Sequence, residues 1–299
     1  MFRAAAGAAP SFGFAELYSG HITVEGLTFR TGWRTWDGIG DFTFRDVHAQ
    51  LLYIFGTRDV SVLGGDYGPS SDAYSFISAT APGATVPTNI LIDGVRFHDF
   101  TRSSNTQHTE CLHAVSVQGF TVRNSHFERC AVMDLFLTSN PNSSQPFRNV
   151  VIENNFFGKT ISGGYYSVFF DQRVGFQGVQ FRNNSLAQTP IFESGSNNYS
   201  NFVVSGNLGE QFNYMCNSQA SYSFNVWYSA STNAAKCGAS DLALNSTADP
   251  GWVDKTNVDL HLTAGSTAVD HGGGSCPGSD IDLDARPRGS ACDAGADES

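Results

Sequence analysis

The chain has 299 residues, 40% of them hydrophobic but only 15% charged, with 31 Gly and 24 Phe. That composition suits one large β-rich, turn-rich unit plus a small appendage, and a formal net charge of −11 argues against nucleic acid as a partner. No apolar run reaches the roughly 18 residues of a membrane span, so none is expected.

Residues 1–14 (MFRAAAGAAPSFGF) carry no leader pattern: Arg3 interrupts, and no apolar core of leader length follows. They read as the end of a repeating unit, with Phe2 and Phe12 at strand positions. From His21 a nine-residue phrase recurs. It reads HITVEGLTF at His21, DFTFRDVHA at Asp41, DVSVLGGDY at Asp59, NILIDGVRF at Asn89, GFTVRNSHF at Gly119, NVVIENNFF at Asn149, GVQFRNNSL at Gly178 and NFVVSGNLG at Asn201. The three central copies start 30 residues apart.

Each copy opens by alternating apolar and variable residues, the period of a strand with one face in a core. Then comes a column of Gly, Asn or Asp alone: Gly26, Asp46, Gly64, Gly94, Asn124, Asn154, Asn183, Gly206. These types tolerate the left-handed backbone best, so every repeat bends there. Three residues on is a mostly aromatic column: Phe29, Tyr67, Phe97, Phe127, Phe157, with Ala49, Leu186 and Gly209 departing from it. One such unit cannot bury its apolar face, whereas stacked units can. The reading is all-β: a right-handed parallel β-helix of about eight to nine coils over residues 1–240, with a C-terminal cap or accessory segment over 241–299. Stacking predicts an Asn ladder (Asn124, Asn154, Asn183) and an internal Phe ladder. A propeller and a leucine-rich solenoid fit less well, for want of blade-like spacing and of a Leu consensus.

Over residues 15–228 the chain resembles the pectin-lyase-like, right-handed parallel β-helix superfamily. The tail strings DPGWVD, DLHLTAGSTAVDHG, DIDLDARPRG and DAGADE resemble the segment that closes bacterial right-handed β-helix repeat proteins. The resemblance implies a secreted or cell-surface protein acting on a polysaccharide, most often as a lyase, with no organic cofactor and with calcium as a possible metal. It also implies a monomer.

Residues 69–88, 98–109 and 138–148 are polar inserts expected to leave one corner of successive coils and wall a groove, the first of them holding a possible strand, YSFIS. Aligning the strand after each loop pairs Glu110-Cys111-Leu112-His113 with Asp134-Leu135-Phe136-Leu137 and Ser167-Val168-Phe169-Phe170. That alignment stacks Glu110 on Asp134, as paired carboxyls or oxygen ligands for calcium. His108 and His126 are further acid–base candidates, and His113 a weaker one. Lys159 and Arg173 are candidates for base or carboxylate clamp in β-elimination. Arg102, Tyr165, Tyr166, Asp171 and Trp36 are candidate sugar contacts. For each of these the alternative is structural: strand-ending polar ladders, surface imidazoles, a corner tryptophan that packs. No Gly-His-Gly or Arg-x-Lys string of the polygalacturonases occurs. The ranked readings are a polysaccharide lyase on a uronate polymer, a non-catalytic glycan- or protein-binding solenoid, and a hydrolase with two carboxyls.

Six cysteines pair by neighbourhood as Cys111 with Cys130, Cys216 with Cys237 and Cys276 with Cys292, which points to an oxidising compartment. For Cys111 and Cys130, two free buried thiols remain the alternative. From Lys236 onward there are four Lys/Arg and eleven Asp/Glu, so the acidity belongs to the tail. Asp280, Asp282 and Asp284 alternate as in a calcium loop, but Ala285 and Ala291 stand where such a loop needs Gly and Glu. N-x-S/T strings occur at Asn142, Asn183, Asn198 and Asn245.

Overall fold

Alternating side chains make each repeat extend, and the Gly/Asn/Asp column makes it turn; repetition of the two wraps the chain into a parallel β-helix. The structure is a computed structural model describing residues 1–140, 145–158, 166–171, 173–193, 198–211, 216–229, 234–245 and 250–299. Three parallel sheets run its length. The first climbs from Phe2–Arg3 through Ile22–Glu25, Gly40–Ala49, Arg58–Tyr67, Thr88–Asp93, Gln118–Arg123, Phe147–Glu153, Phe176–Arg182 and Tyr199–Ser205 to Ala220–Ser223. These are ten described rungs. The count exceeds eight to nine because the first and last rungs lack the full phrase.

The second sheet follows the bend and includes Arg96–Thr101, His126–Cys130, Phe156–Phe157, Ser185–Leu186, Leu208–Glu210, Val226–Tyr228 and Leu242–Ala243. The third stacks Ser11–Leu17, Thr28–Thr35, Leu52–Phe55, Ser75–Ser78, Leu112–Val115, Met133–Thr138, Tyr166–Phe170 and Ile191–Phe192. Residues 1–14 do form coil strands, and the YSFIS expectation is met by Ser75–Ser78.

The bend column behaves as its residue types require. Gly26, Asp46, Gly64, Gly94, Asn124, Asn154, Asn183 and Gly206 all have φ between 47° and 68°. A second left-handed column was not anticipated. It is the first residue of every phrase: His21, Asp41, Asp59, Asn89, Gly119, Asn149, Gly178 and Asn201, with φ between 50° and 69°. In each of the eight phrases the alternating stretch is therefore bracketed by two left-handed residues.

Inside, like stacks on like. Tyr67, Phe97, Phe127 and Phe157 are fully buried, with successive ring centroids 5.5, 5.0 and 4.9 Å apart. Each such pair adds about 0.5–1.5 kcal/mol beyond area burial. The asparagine ladder lies one residue beyond the expected column. Asn155, Asn184, Asn207 and Asn225 are buried, and each Oδ1 accepts the backbone N–H of the residue one coil below, at 3.0–3.2 Å. Each amide Nδ2 in turn donates to the next Oδ1. The expected column forms one rung, Asn154 Nδ2 to Asn124 Oδ1 at 3.4 Å, and otherwise faces away from the core, where Asn124 donates to Asp93, Asn154 to Ser279 O and Asn183 to Asp293 O. The ladder ends on buried Asp241, whose Oδ1 accepts from Asn225 and whose Oδ2 accepts Trp227 Nε1 and Gly238 N. A chain of amides that all donate upward needs a final group with acceptors only, and a carboxylate meets that need.

All three cysteine pairs are disulfides, 111–130, 216–237 and 276–292, so the free-thiol alternative falls. From Pro250 the chain packs along the flank of the second sheet: Phe156, Leu208, Val226 and Tyr228 share a core with Trp252, Leu260, Ile281 and Ala296. The closing strings form a knot around buried Arg286. It donates to Gly295 O and Asp297 O, both at 2.9 Å, and pairs with Glu298, which accepts from Asp293 N and Arg288 N. No helix is long and apolar enough to cross a membrane among the described residues.

Candidate functional site

Strand alternation gives the third sheet an outward row, and its register names the members: Glu16, Arg34, Tyr53, Phe76, His113, Phe136, Phe169 and Ile191, one per coil. Six of the eight are apolar or aromatic rings on a solvent-side row, where polar side chains are usual. Their centroids touch in series: Phe76 to His113 at 5.0 Å, His113 to Phe136 at 4.8 Å and Phe136 to Phe169 at 5.4 Å. Toward the first coils the row widens. Trp36 stacks on Tyr18 and under the Arg34 guanidinium, and Phe14, Arg34, Tyr53 and Phe55 line a shallow depression of about 440 Å³. Trp33, by contrast, is core: it stacks on Phe44 at 3.7 Å and donates to Tyr67 Oη.

His113 marks the centre of the row, and the acid–base groups gather beside it. Glu110 is fully buried. One of its oxygens meets His108 Nδ1 at 3.0 Å; the other lies 3.8 Å from His113 Nδ1 and has no hydrogen-bond partner. Both ring nitrogens of His113 are also unpartnered. The two imidazoles flank one carboxyl, yet their environments differ. The hydrogen bond that His108 gives to the Glu110 carboxylate holds its imidazole above the ordinary histidine range, against partial burial. Burial pushes His113 down to about 4, despite the charge of Glu110. One carboxyl contact and one burial thus push the two imidazoles in opposite directions.

Two arginines border the cluster. Arg102 reaches only Asn105 O, at 3.5 Å, its Nε is unpartnered, and it has no acidic partner among the described residues. Arg173 grips Asp171 through Nε and Nη2, with Thr138 beside the pair. Burial raises the Asp171 carboxyl, but hydrogen bonds from Arg173 and Thr138 outweigh it and hold it low. Both arginines depress the proton affinity of His108, and Arg173 that of His113, which places all of these groups at one locus.

Three expectations need correction. The register sets Leu112 against Leu135, and Cys111 N donates to Met133 O, so the residue level with Asp134 is Cys111, not Glu110. Matching the polar residues misaligned the strands by one; matching the leucines aligns them. Asp134 is fully buried, neither oxygen is partnered, and burial alone holds its carboxyl well above the usual range. Glu110 and Asp134 therefore do not present two facing carboxyls, and a shared calcium, which takes six to eight oxygens, does not fit them. His126 is not in the cluster: it sits on the second sheet, edge-on to Phe156 and near His261 of the tail. The three inserts also do not leave one corner. Residues 102–111 join the second sheet to the third, whereas the third insert starts where a third-sheet strand ends at Thr138 and finishes where a first-sheet strand opens at Phe147, so the two belong to different corners.

Tyr166 packs on Phe169 at the end of the row. Lys159, Tyr165 and the Asn142 string lie outside the described residues. Asp280 accepts Asp282 N, Asp284 N and Glu298 N, and so shapes the turn that carries Asp282 and Asp284. What the sequence reading underweighted was His113, whose alternation with Leu112 and Ala114 was the available signal. No family model matches the chain, and no curated protein matches it.

Proposed function

We propose that this protein is an extracellular carbohydrate-active β-helix, a polysaccharide lyase that cleaves a uronate-containing polymer by β-elimination. The observation that carries the reading is the pair His108 and His113 on one buried carboxyl, opposite in proton affinity, in the middle of an aromatic row. Sugar rings stack on aromatic faces, and a row of half-buried rings one coil apart suits a linear chain. The acid–base roles follow from chemistry. Neutral His113 takes the proton from the carbon next to the uronate carboxylate. Arg102, and Arg173 beside it, offset the charge that gathers on that carboxylate. Protonated His108, held by Glu110, gives its proton to the departing glycosidic oxygen as the C–O bond breaks and a C=C bond forms. General acid–base assistance of this type contributes about 10²–10⁴-fold in rate.

Three disulfides fit an oxidising compartment and support the secreted or cell-surface assignment. The likeness to pectin-lyase-like proteins supports the fold and the substrate class, not a named activity.

The test is a screen of the purified chain on polygalacturonate, alginate, glucuronan and glycosaminoglycans. Absorbance near 235 nm and reducing ends are followed together, with and without chelator. The reading expects unsaturated ends on at least one polymer, lost in His113→Asn. Reducing ends without absorbance mean hydrolysis instead. Tight polymer binding with neither signal means a glycan-binding solenoid, a reading favoured by the continuation of the aromatic row to Trp36, far from the imidazoles.

A further inference from the structure

The tail holds a second polar cluster that the groove chemistry does not use. His261 lies on the strand Asp259–Leu262, Asp282 in the turn whose N–H groups are accepted by Asp280, and Asp297 beside Glu298. One donor atom from each of His261, Asp282 and Asp297 lies within 4.8 Å of the others. We propose that these three residues bind a first-row divalent cation, zinc being the best fit to one imidazole and two carboxylates.

Four features support the assignment. First, the imidazole is already oriented as metal-bound histidines are. Its Nδ1 is anchored on Asp259 at 2.5 Å, which turns Nε2 toward Asp282 at 2.9 Å. A carboxylate on the far nitrogen is the usual support for a ligating histidine. Second, the donor set is mixed nitrogen and oxygen, which suits zinc or manganese more than calcium. Third, negative charge is in excess: Asp259, Asp280, Asp282, Asp293, Asp297 and Glu298 crowd a knot whose buried cation is Arg286. Fourth, access exists. The Asp282 side chain is more than half open to solvent and that of His261 about a third.

The site would join three separate stretches of the tail where they meet the solenoid, since Phe156 packs edge-on to His261 at 5.0 Å. The competing account is a protonated His261 shared between Asp259 and Asp282, with no ion involved. The two accounts part on metal binding. The full chain is stripped with chelator and titrated with Zn²⁺, Mn²⁺ and Ca²⁺ by calorimetry, with Tm read in parallel. The proposal expects one saturable Zn²⁺ equivalent and a Tm that rises with Zn²⁺. Affinity should fall at least tenfold in Asp282→Asn, an exposed position unlike the buried Asp297, and in His261→Gln. Absence of saturable Zn²⁺ or Mn²⁺ binding would overturn it, as would unchanged affinity in both variants, which would place the ion on another histidine. The readout is binding rather than turnover, so it stands or falls independently of the lyase reading.

Discussion

Two charged regions sit on neighbouring faces of the same coils and are built in opposite ways. On the second sheet, Asp66, Arg96, His98, Asp99, Glu128 and Arg129 are all paired. Arg96 bonds Glu128 through Nε and Nη2 at 3.0 and 2.9 Å and Asp66 through Nη1 at 3.3 Å; Arg129 bonds Asp99 at 2.6 and 2.8 Å. On the third sheet, Glu110, His113 and Asp134 are more deeply buried, yet they leave five side-chain oxygens and nitrogens without partners. A buried polar atom without a partner costs about 1–3 kcal/mol. A chain that satisfies its charges on one face and not on the next, within the same turns, bears that cost where the proposed reading puts its reactive groups.

The comparison can be broken most sharply at its two centres. His113→Asn should lower the elimination rate by about 10²–10⁴-fold while Tm holds or rises, measured by absorbance near 235 nm and by calorimetric melting. Glu128→Gln should do the reverse. It halves a charge-assisted pair and should cost about 1–2 kcal/mol, discounted because Arg96 is partly exposed, with turnover retained. Its pH dependence has a fixed sign. Burial raises the Glu128 carboxyl, but Arg96 outweighs burial and holds it below its unfolded value. The stability it supplies is therefore present above the unfolded pKa and lost as pH falls through the folded one, so the variant and the parent should converge in acid.

Asp134 carries the opposite sign. Its folded carboxyl titrates well above the unfolded value because of burial, so the folded state holds a proton that the unfolded state releases. Its penalty grows above the unfolded pKa, at up to about 1.4 kcal/mol per pH unit. Asp134→Asn should raise the denaturation midpoint at neutral pH and have little effect near pH 3. A midpoint that drops at neutral pH would show that Asp134 has a partner in the folded protein. The smallest effect is expected at the far end of the row: Tyr53→Ala should weaken polymer binding a fewfold, read as KM, with kcat unchanged.

How much of this was legible in the sequence depends on which sheet carried it. The first two sheets repeat within the nine-residue phrase, so the bend column from Gly26 to Gly206 and the ring ladder from Tyr67 to Phe157 could be read directly. The second left-handed column, from His21 to Asn201, is equally legible, since the same residue types fill most of it and only His21 departs from them. Third-sheet strands follow inserts of unequal length, so nothing in the repeat fixes their register. There the choice between aligning Glu110 or Leu112 decided which residue faces which. His113 ranks below His108 and His126 on the sequence for the same reason, because its ring contacts with Phe76 and Phe136 join residues 37 and 23 positions apart. The tail strings announced a separate element, but the role of Arg286 depends on backbone carbonyls that composition does not encode.

The most direct test of the acid–base account is the pH profile of kcat/KM for unsaturated-end formation, in the parent and in His108→Asn. The parent should be active on a plateau that falls off in acid near pH 4, where His113 gains its proton, and in alkali above the ordinary histidine value, where His108 loses its own. His108→Asn should lose the alkaline limb and retain the acid one. An alkaline limb unchanged by that substitution, or no unsaturated product at any pH, would contradict the account.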